Sequence, residues 1–313
     1  MEEDEPSPQA WSVFLESLPG AGPFHLPAWR GALREAHPAM RDRTLWLEDA
    51  GGIRAALPVL VRPRFALLRA ASLPYGTPGG AWLARPSDTE AATLLFAEFS
   101  RRFSRPWNDC IVVDHSDESL SAVIRGAWPG ARMRPDDTHV VALPDSVSAL
   151  EELWARRTRK AFRRAEGAGV EVRRDDSGLG LGEFARFHER EGDARKVRFL
   201  YPAPLLAAAA RAGLLSVWIA SLEGRTRAVT AVAEGCGRIF LWLVAHSEDA
   251  RELPTGEILF GTILADAVRR GFREADFGSS GGRAGTRFFK EGFGAVPRPF
   301  RTWRSGPLAR GWK

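Results

Sequence analysis

The sequence predicts an α/β (α+β) protein built from two copies of one mixed unit, and three observations carry that expectation. At 313 residues the chain is long for one domain and suits two of about 150 residues each. Its hydrophobic periodicity alternates between helical and strand-like segments from end to end. A hairpin signature also occurs twice: Trp46-Leu-Glu-Asp-Ala-Gly-Gly52 leads into Ile53-Arg-Ala-Ala-Leu57, and Trp218-Ile-Ala-Ser-Leu-Glu-Gly224 leads into Arg225-Thr-Arg-Ala-Val229. The order of elements around both hairpins agrees, which favours a duplicated unit over chance. The expected division is a tail at 1–8, an N-terminal domain at 9–145 and a C-terminal domain at 146–313.

The first eight residues, Met-Glu-Glu-Asp-Glu-Pro-Ser-Pro, are acidic and proline-bearing. They read as a disordered tail, the opposite of a secretory signal. Amphipathic helices follow at 9–17 and 27–36, the second entered through His25-Leu-Pro27. Residues 44–48, an Asp-Ala-Gly-Gly turn and residues 53–61 read as a β-hairpin. The stretch Leu73-Pro-Tyr-Gly-Thr-Pro-Gly-Gly80 is a loop by its glycine and proline content. A helix (87–103), a strand (110–114), a helix (119–127) and a strand (138–143) come next. Residues 146–167 form a long helix with a break near Ala155. The second half opens with a strand at 170–173 and helices at 181–191 and 204–212. A three-stranded meander (214–221, 227–234, 238–245) turns at Glu223-Gly224 and Gly235-Cys-Gly237. A helix at 255–270, a strand at 274–277, a helix bearing Lys290 and a closing strand at 299–304 complete the chain.

The composition, 44% apolar and 27% charged, is that of a globular protein. No apolar run approaches the roughly 18 residues of a membrane span, so no transmembrane segment is expected. Cys110 and Cys236 lie in strand-like contexts in separate halves, which implies no disulfide framework and suits a cytoplasmic protein. A net charge of +5 permits anionic partners and selects none. Six scattered histidines and two distant cysteines give no metal-ligand spacing. The serine-hydrolase elbow and the dinucleotide fingerprint are both absent.

The last forty residues hold the densest chemistry. Only four of the 44 basic residues are lysines: Lys160, Lys196, Lys290 and Lys313. Where arginine is the default cation, Lys290 among Phe277, Phe288, Phe289 and Phe293 suggests a need for a compact, positionable ammonium. The bland alternative is a lysine snorkelling off a core-packed helix. Asp276, ending a strand, could orient an amine or accept its proton, or could cap the following glycine turn. Gly278-Ser-Ser-Gly-Gly-Arg-Ala-Gly285 reads either as an anion nest before a helix N-terminus or as a tight turn. His188, on a helix, is a candidate general base beside a structural reading. Arg156, Arg157, Arg159, Lys160, Arg163 and Arg164 form either a solvated face or an anion-binding one. Tyr201, with Arg198 and Lys196, and Tyr75, one of two tyrosines, are candidates for lining an acceptor pocket.

Several of these motifs together resemble one family. Leu153-Trp-Ala-Arg-Arg157-Thr-Arg159-Lys-Ala-Phe-Arg163-Arg164-Ala-Glu-Gly167-Ala-Gly-Val170, then Leu253-Pro254-Thr-Gly256, Asp276-Phe277-Gly278 and Phe289-Lys290-Glu-Gly-Phe293-Gly294 stand in the order found in Fem-type aminoacyltransferases and their GNAT acetyltransferase-like relatives. The match covers about the last 170 residues well and the N-terminal half loosely. The resemblance implies two tandem GNAT-like units, each a mixed, mostly antiparallel sheet flanked by helices. It implies attack by an amine on an activated acyl donor, giving an amide, with acyl-CoA or aminoacyl-tRNA as the donor. The acceptor would be a small-molecule or cell-envelope precursor amine. Lys290 matches the family lysine and would stabilise the oxyanion. Thr255 and Gly256 fall where GNAT proteins hold the donor pyrophosphate, with Gly278 and Ser279 as further donor contacts and Arg159 as a substrate contact. The usual Arg/Gln-x-x-Gly-x-Gly signature is missing there, so Thr255 also reads as a plain helix N-cap. The long helical hairpin of some cross-bridge enzymes is missing too, which favours acyl-CoA over aminoacyl-tRNA. A non-catalytic, ligand-binding domain pair is the third reading.

Overall fold

The computed structural model describes residues 6–64, 67–115, 118–175, 179–195, 203–248 and 253–309. Two compact units emerge, one of 1–136 with 299–313 and one of 137–298. The C-terminal unit is built on one mixed, mostly antiparallel sheet and the N-terminal unit carries its strands in two sheets, with helices packed on each unit.

The N-terminal unit begins with helices α1 (Pro8–Ser17) and α2 (Pro27–Ala36). Strands β1 (Arg41–Asp42), β2 (Leu45–Asp49), β3 (Gly52–Leu57), β4 (Leu60–Arg64), β5 (Leu67–Ala71) and β6 (Trp82–Leu83) follow. Helix α3 (Thr89–Phe103), β7 (Asp109–Asp114) and α4 (Ser119–Ala127) come next, and β8 (Arg132–Ala142) carries the unit boundary. The expected hairpin exists as β2–β3, but the segment 53–61 is not one strand. It breaks at Pro58, and β3 and β4 enter different sheets, β2-β3-β6 and β1-β4-β5-β7. A proline has no N–H for the ladder, so the chain changes sheets there. Strand β14 (Val296–Ser305) returns to this unit and pairs antiparallel with β7 from Arg301–Asp114 to Ser305–Cys110. It delivers the fully buried Trp303 to a core of Phe96, Phe99 and Trp128.

The C-terminal unit starts on the second half of β8 and continues through α5 (Val147–Leu153), α6 (Arg156–Gly167) and β9 (Glu171–Asp175). The break at Trp154–Ala155 is held by Arg159, whose guanidinium donates to the carbonyls of Glu151 at 3.0 Å and Trp154 at 2.5 Å and so satisfies the orphaned end of α5. Helices α7 (Leu179–Arg195) and α8 (Ala203–Arg211) lead into the meander β10 (Leu215–Leu222), β11 (Arg225–Gly235) and β12 (Arg238–His246). Helix α9 (Thr255–Arg269), β13 (Glu274–Ser279) and α10 (Ala284–Glu291) complete it. The strand order is β8-β13-β12-β11-β10-β9, with β12 and β13 parallel and the other neighbours antiparallel. Helix α9 presents Ile258, Leu259, Ile263 and Leu264 to the core. Its Gly261 lets α6 approach closely, since a Cβ there would lie 2.7 Å from the Phe162 ring and 2.9 Å from Trp154. Cys110 and Cys236 are both free thiols.

Candidate active site

Strands β12 and β13 run parallel but pair only through Arg238–Glu274, Ile239–Ala275 and Phe240–Asp276. Beyond that point β12 continues for six more residues and the two strands diverge. The β11–β12 register also shifts there, because Ala231 faces Leu243 and Val232 faces Leu241, leaving Trp242 as the extra residue of a bulge. A bulge bends its strand and increases its twist, which helps to open the sheet. The result is a cleft of about 1180 Å³ in the C-terminal unit. One wall is β12 from Leu241 to Val244, another is the start of α9, and the third is Phe277, Ser279, Phe289 and Lys290.

Lys290 sits on α10 and is 5% exposed. Its ammonium donates to the Gly278 carbonyl at 2.6 Å. A lysine snorkelling into solvent would be largely exposed, so that reading does not describe Lys290. Gly278 adopts φ +70°, a left-handed geometry that suits glycine. The turn is in turn fixed by Asp276, whose Oδ1 accepts the Gly278 N–H at 2.7 Å and also the Thr138 hydroxyl. Asp276 thus caps the glycine turn, and it is absent from the cleft lining because strand alternation sends it to the face opposite Phe277.

Burial of the Asp276 carboxyl raises its pKa to about 6, while its bonds from Thr138 and Gly278 oppose the shift. The residue as a whole is half-buried, but the carboxyl is enclosed by protein atoms. Between 3.8 and about 6 the native carboxyl holds a proton that the unfolded chain has released. Stability from this group is therefore full at low pH and is lost as pH rises through about 6. Asp276→Asn keeps the two acceptor bonds and removes the charge. It is expected to stabilise the fold by up to about 3 kcal/mol at pH 8 and by nothing at pH 4, as read from denaturant midpoints at the two pH values.

His188, Thr255, Gly256 and Ser279 also line the cleft. His188 projects from α7 with its ring stacked on Phe184 at 5.0 Å. Thr255 is the first residue of α9 rather than its N-cap: Pro254 holds the cap position and supplies no side-chain bond. Gly256 lies under the Phe289 ring, where a Cβ would stand at 3.4 Å, an ordinary contact distance. Arg159 lies away from the cleft, at the α5–α6 junction. Tyr75 belongs to the N-terminal unit, where its hydroxyl meets His37 Nε2 at 2.5 Å. Lys196, Arg198 and Tyr201 lie outside the described residues.

Two groups escaped the reading of the sequence. Glu257, in the first turn of α9, lines the cleft, and desolvation holds its carboxyl above the usual range. His139 on β8 is fully buried beside Lys290, with Nδ1 3.4 Å from Asp137 and 3.5 Å from the Ser280 hydroxyl. Burial keeps its imidazole below the usual range, so Lys290 meets little competing positive charge there. Among the described residues no group of histidine, cysteine and acidic side chains is placed to hold a metal ion.

Residues 154–291 match the family described as the acetyltransferase (GNAT) domain. The C-terminal unit carries a GNAT domain. In fold the whole chain is similar to the crystal structure of FemX, with a TM-score of 0.73 and 14% identity over 96% of this chain and 97% of that one. It is also similar to a tandem GNAT protein from the clavulanic acid biosynthesis pathway, with a TM-score of 0.59 and 15% identity over 96% of each chain. A search of curated protein sequences returned no match. The cleft lies within the segment matched as the GNAT domain, and Lys290 is one residue from its end. No described helix is long and apolar enough to cross a membrane.

Proposed function

We propose that the GNAT domain is an N-acyltransferase that moves an acyl group from acyl-CoA to an amine, forming an amide in the cleft between β12 and β13. The observation that carries this reading is the divergence of the two strands with a buried ammonium, Lys290, at its floor. Acyl transfer needs a donor aimed at the oxyanion of the tetrahedral intermediate and a place for a neutral amine, and it needs no covalent nucleophile. Lys290 supplies the charge. Glu257 accepts a proton from the attacking amine as the C–N bond forms. The sulfur leaves as a thiolate with the electron pair of the broken C–S bond, and the proton held by Glu257 passes to that sulfur to give the free thiol. Asp276 acts through the glycine turn, holding the Gly278 carbonyl that orients Lys290. The start of α9 offers the donor's phosphates the Gly256 N–H and the positive end of the helix dipole, the Thr255 N–H being taken by the Leu253 carbonyl. His188 borders the acceptor side.

Thermal unfolding with CoA, acetyl-CoA and longer acyl-CoAs tests the donor. At 100 times its dissociation constant, a bound thioester stabilises the fold by about 2.7 kcal/mol, and the midpoint rises. No rise with any thioester would overturn acyl-CoA as the donor. The second reading, aminoacyl-tRNA, rests on the FemX-like fold and the absent Gly-x-Gly signature. It predicts turnover that ribonuclease abolishes, whereas CoA-dependent transfer survives ribonuclease.

A further inference from the structure

The outer face of α6 lines no part of the cleft and gathers its cations on one side. At about 100° per residue, Arg156, Arg157, Lys160, Arg163 and Arg164 fall within an arc of about 120°. All five are exposed, and Glu166, the one acid on the helix, lies off that arc. Elsewhere in this unit some exposed arginines pair with carboxylates, as Arg186 does with Glu183 and Arg287 with Asp137, and others such as Arg225, Arg269, Arg273 and Arg283 stand apart on separate elements. Among the described residues Arg156, Lys160, Arg163 and Arg164 have no acidic partner within ion-pair distance. Charge of one sign along a helix of about 18 Å sets up a local positive field that a polyanionic surface complements.

A second observation narrows the partner. Three large apolar side chains are exposed around the N-terminal end of the stripe: Leu153 at 46%, Phe288 at 55% and Val296 at 60%. They are fixed there by structure. The Ala155 N–H donates to the Gly292 carbonyl at 2.8 Å, and Gly294 lies against Leu153, so the turn after α10 is clasped to the α5–α6 junction. Arg157 lies 3.6 Å from the centre of the Phe288 ring and donates to its carbonyl at 2.8 Å. Phosphate oxygens satisfy the cations in either a nucleic acid or a lipid headgroup layer. Leu153 and Val296, however, gain nothing from base stacking, whereas aliphatic and aromatic side chains beside cations gain from the headgroup–acyl boundary.

We infer that the outer face of α6, with Leu153, Phe288 and Val296, docks the protein on an anionic lipid surface. The cations provide salt-sensitive adsorption and the apolar trio a shallow anchor. This goes beyond the acyl-transfer reading and stands whatever the cleft does.

Flotation of the full chain with vesicles of equal parts phosphatidylglycerol and phosphatidylcholine, and with phosphatidylcholine alone, tests it. Binding to the anionic vesicles only is expected. The variant Arg156→Ser/Lys160→Ser/Arg163→Ser should weaken that binding ~100-fold, at about fivefold per cation, with an unchanged thermal midpoint. Leu153→Ser/Phe288→Ser should shed the binding that survives raised salt. Equal binding by the triple variant would overturn the inference. So would a protein that ignores both vesicles but holds transfer RNA through the same three cations, since the stripe would then be a nucleic-acid surface.

Discussion

Replacing Lys290 with methionine is expected to lower kcat for acyl transfer by about 10²–10³, the usual cost of removing one oxyanion donor. Methionine retains the length and apolar stem that pack among the phenylalanines but carries no charge. Gly278 loses its 2.6 Å donor, which costs the fold about 1–3 kcal/mol at most. The diagnostic feature is the division of the effect. An interaction made only in the transition state lowers kcat and kcat/KM together, and a donor-binding role would instead raise KM. Steady-state kinetics on the variant beside its unfolding midpoint separates the two, and a kcat within a few-fold of the parent's would remove Lys290 from the chemistry.

Glu257→Gln is expected to cost about 10²–10⁴ in rate if its carboxyl takes the amine proton. Glutamine fills the same space in the first turn of α9, so binding of the donor should survive. The pH profile gives the sharper test. Desolvation raises the Glu257 carboxyl above the usual carboxylate range, and a general base works only when ionised. In the parent, kcat/KM should therefore climb with pH along a limb placed above the usual glutamate value. In Glu257→Gln that limb should vanish while the residual rate follows the ionisation of the amine substrate alone. An unchanged limb would assign it to another group.

The architecture was legible because its signals are local. The Trp46 and Trp218 hairpins, the break near Ala155 and the helix carrying Lys290 each follow from turn chemistry and periodicity. Strand β5 (Leu67–Ala71) went unread because Leu-Leu-Arg-Ala-Ala has neither alternation nor β-branched residues, and it is a strand only by lying between β4 and β7. The site was half legible. A scarce lysine among phenylalanines stands out against an arginine background. Glu257 does not, since an acidic residue in the first turn of a helix is ordinary compensation for the helix dipole. Its neighbours across the cleft come from β12 and α10, far off in sequence. His139 is hidden for the same reason: within Thr138-His-Val-Val141 it reads as one polar residue in a strand. Asp276 had two open roles, and only the bonds from Thr138 and Gly278 distinguish them.

The short pairing of β12 with β13 has a further consequence for selectivity. A sheet that parts from within exposes the edge of β12 past Phe240, where β13 no longer pairs with it, while on β13 the Gly278 N–H and carbonyl are held by Asp276 and Lys290. Such an edge recognises any slender chain that carries amides at suitable intervals, because it reads backbone-like chemistry and not side chains. The middle of a ligand lodged there would be held in register without being discriminated. Choice among donors would then fall to what lies at the two ends of the gap, the first turn of α9 at one and the wall of Phe260, Phe277 and Phe289 at the other. Exchanging the bulk of those three rings would redirect the protein among acyl groups while leaving its hold on the carrier intact.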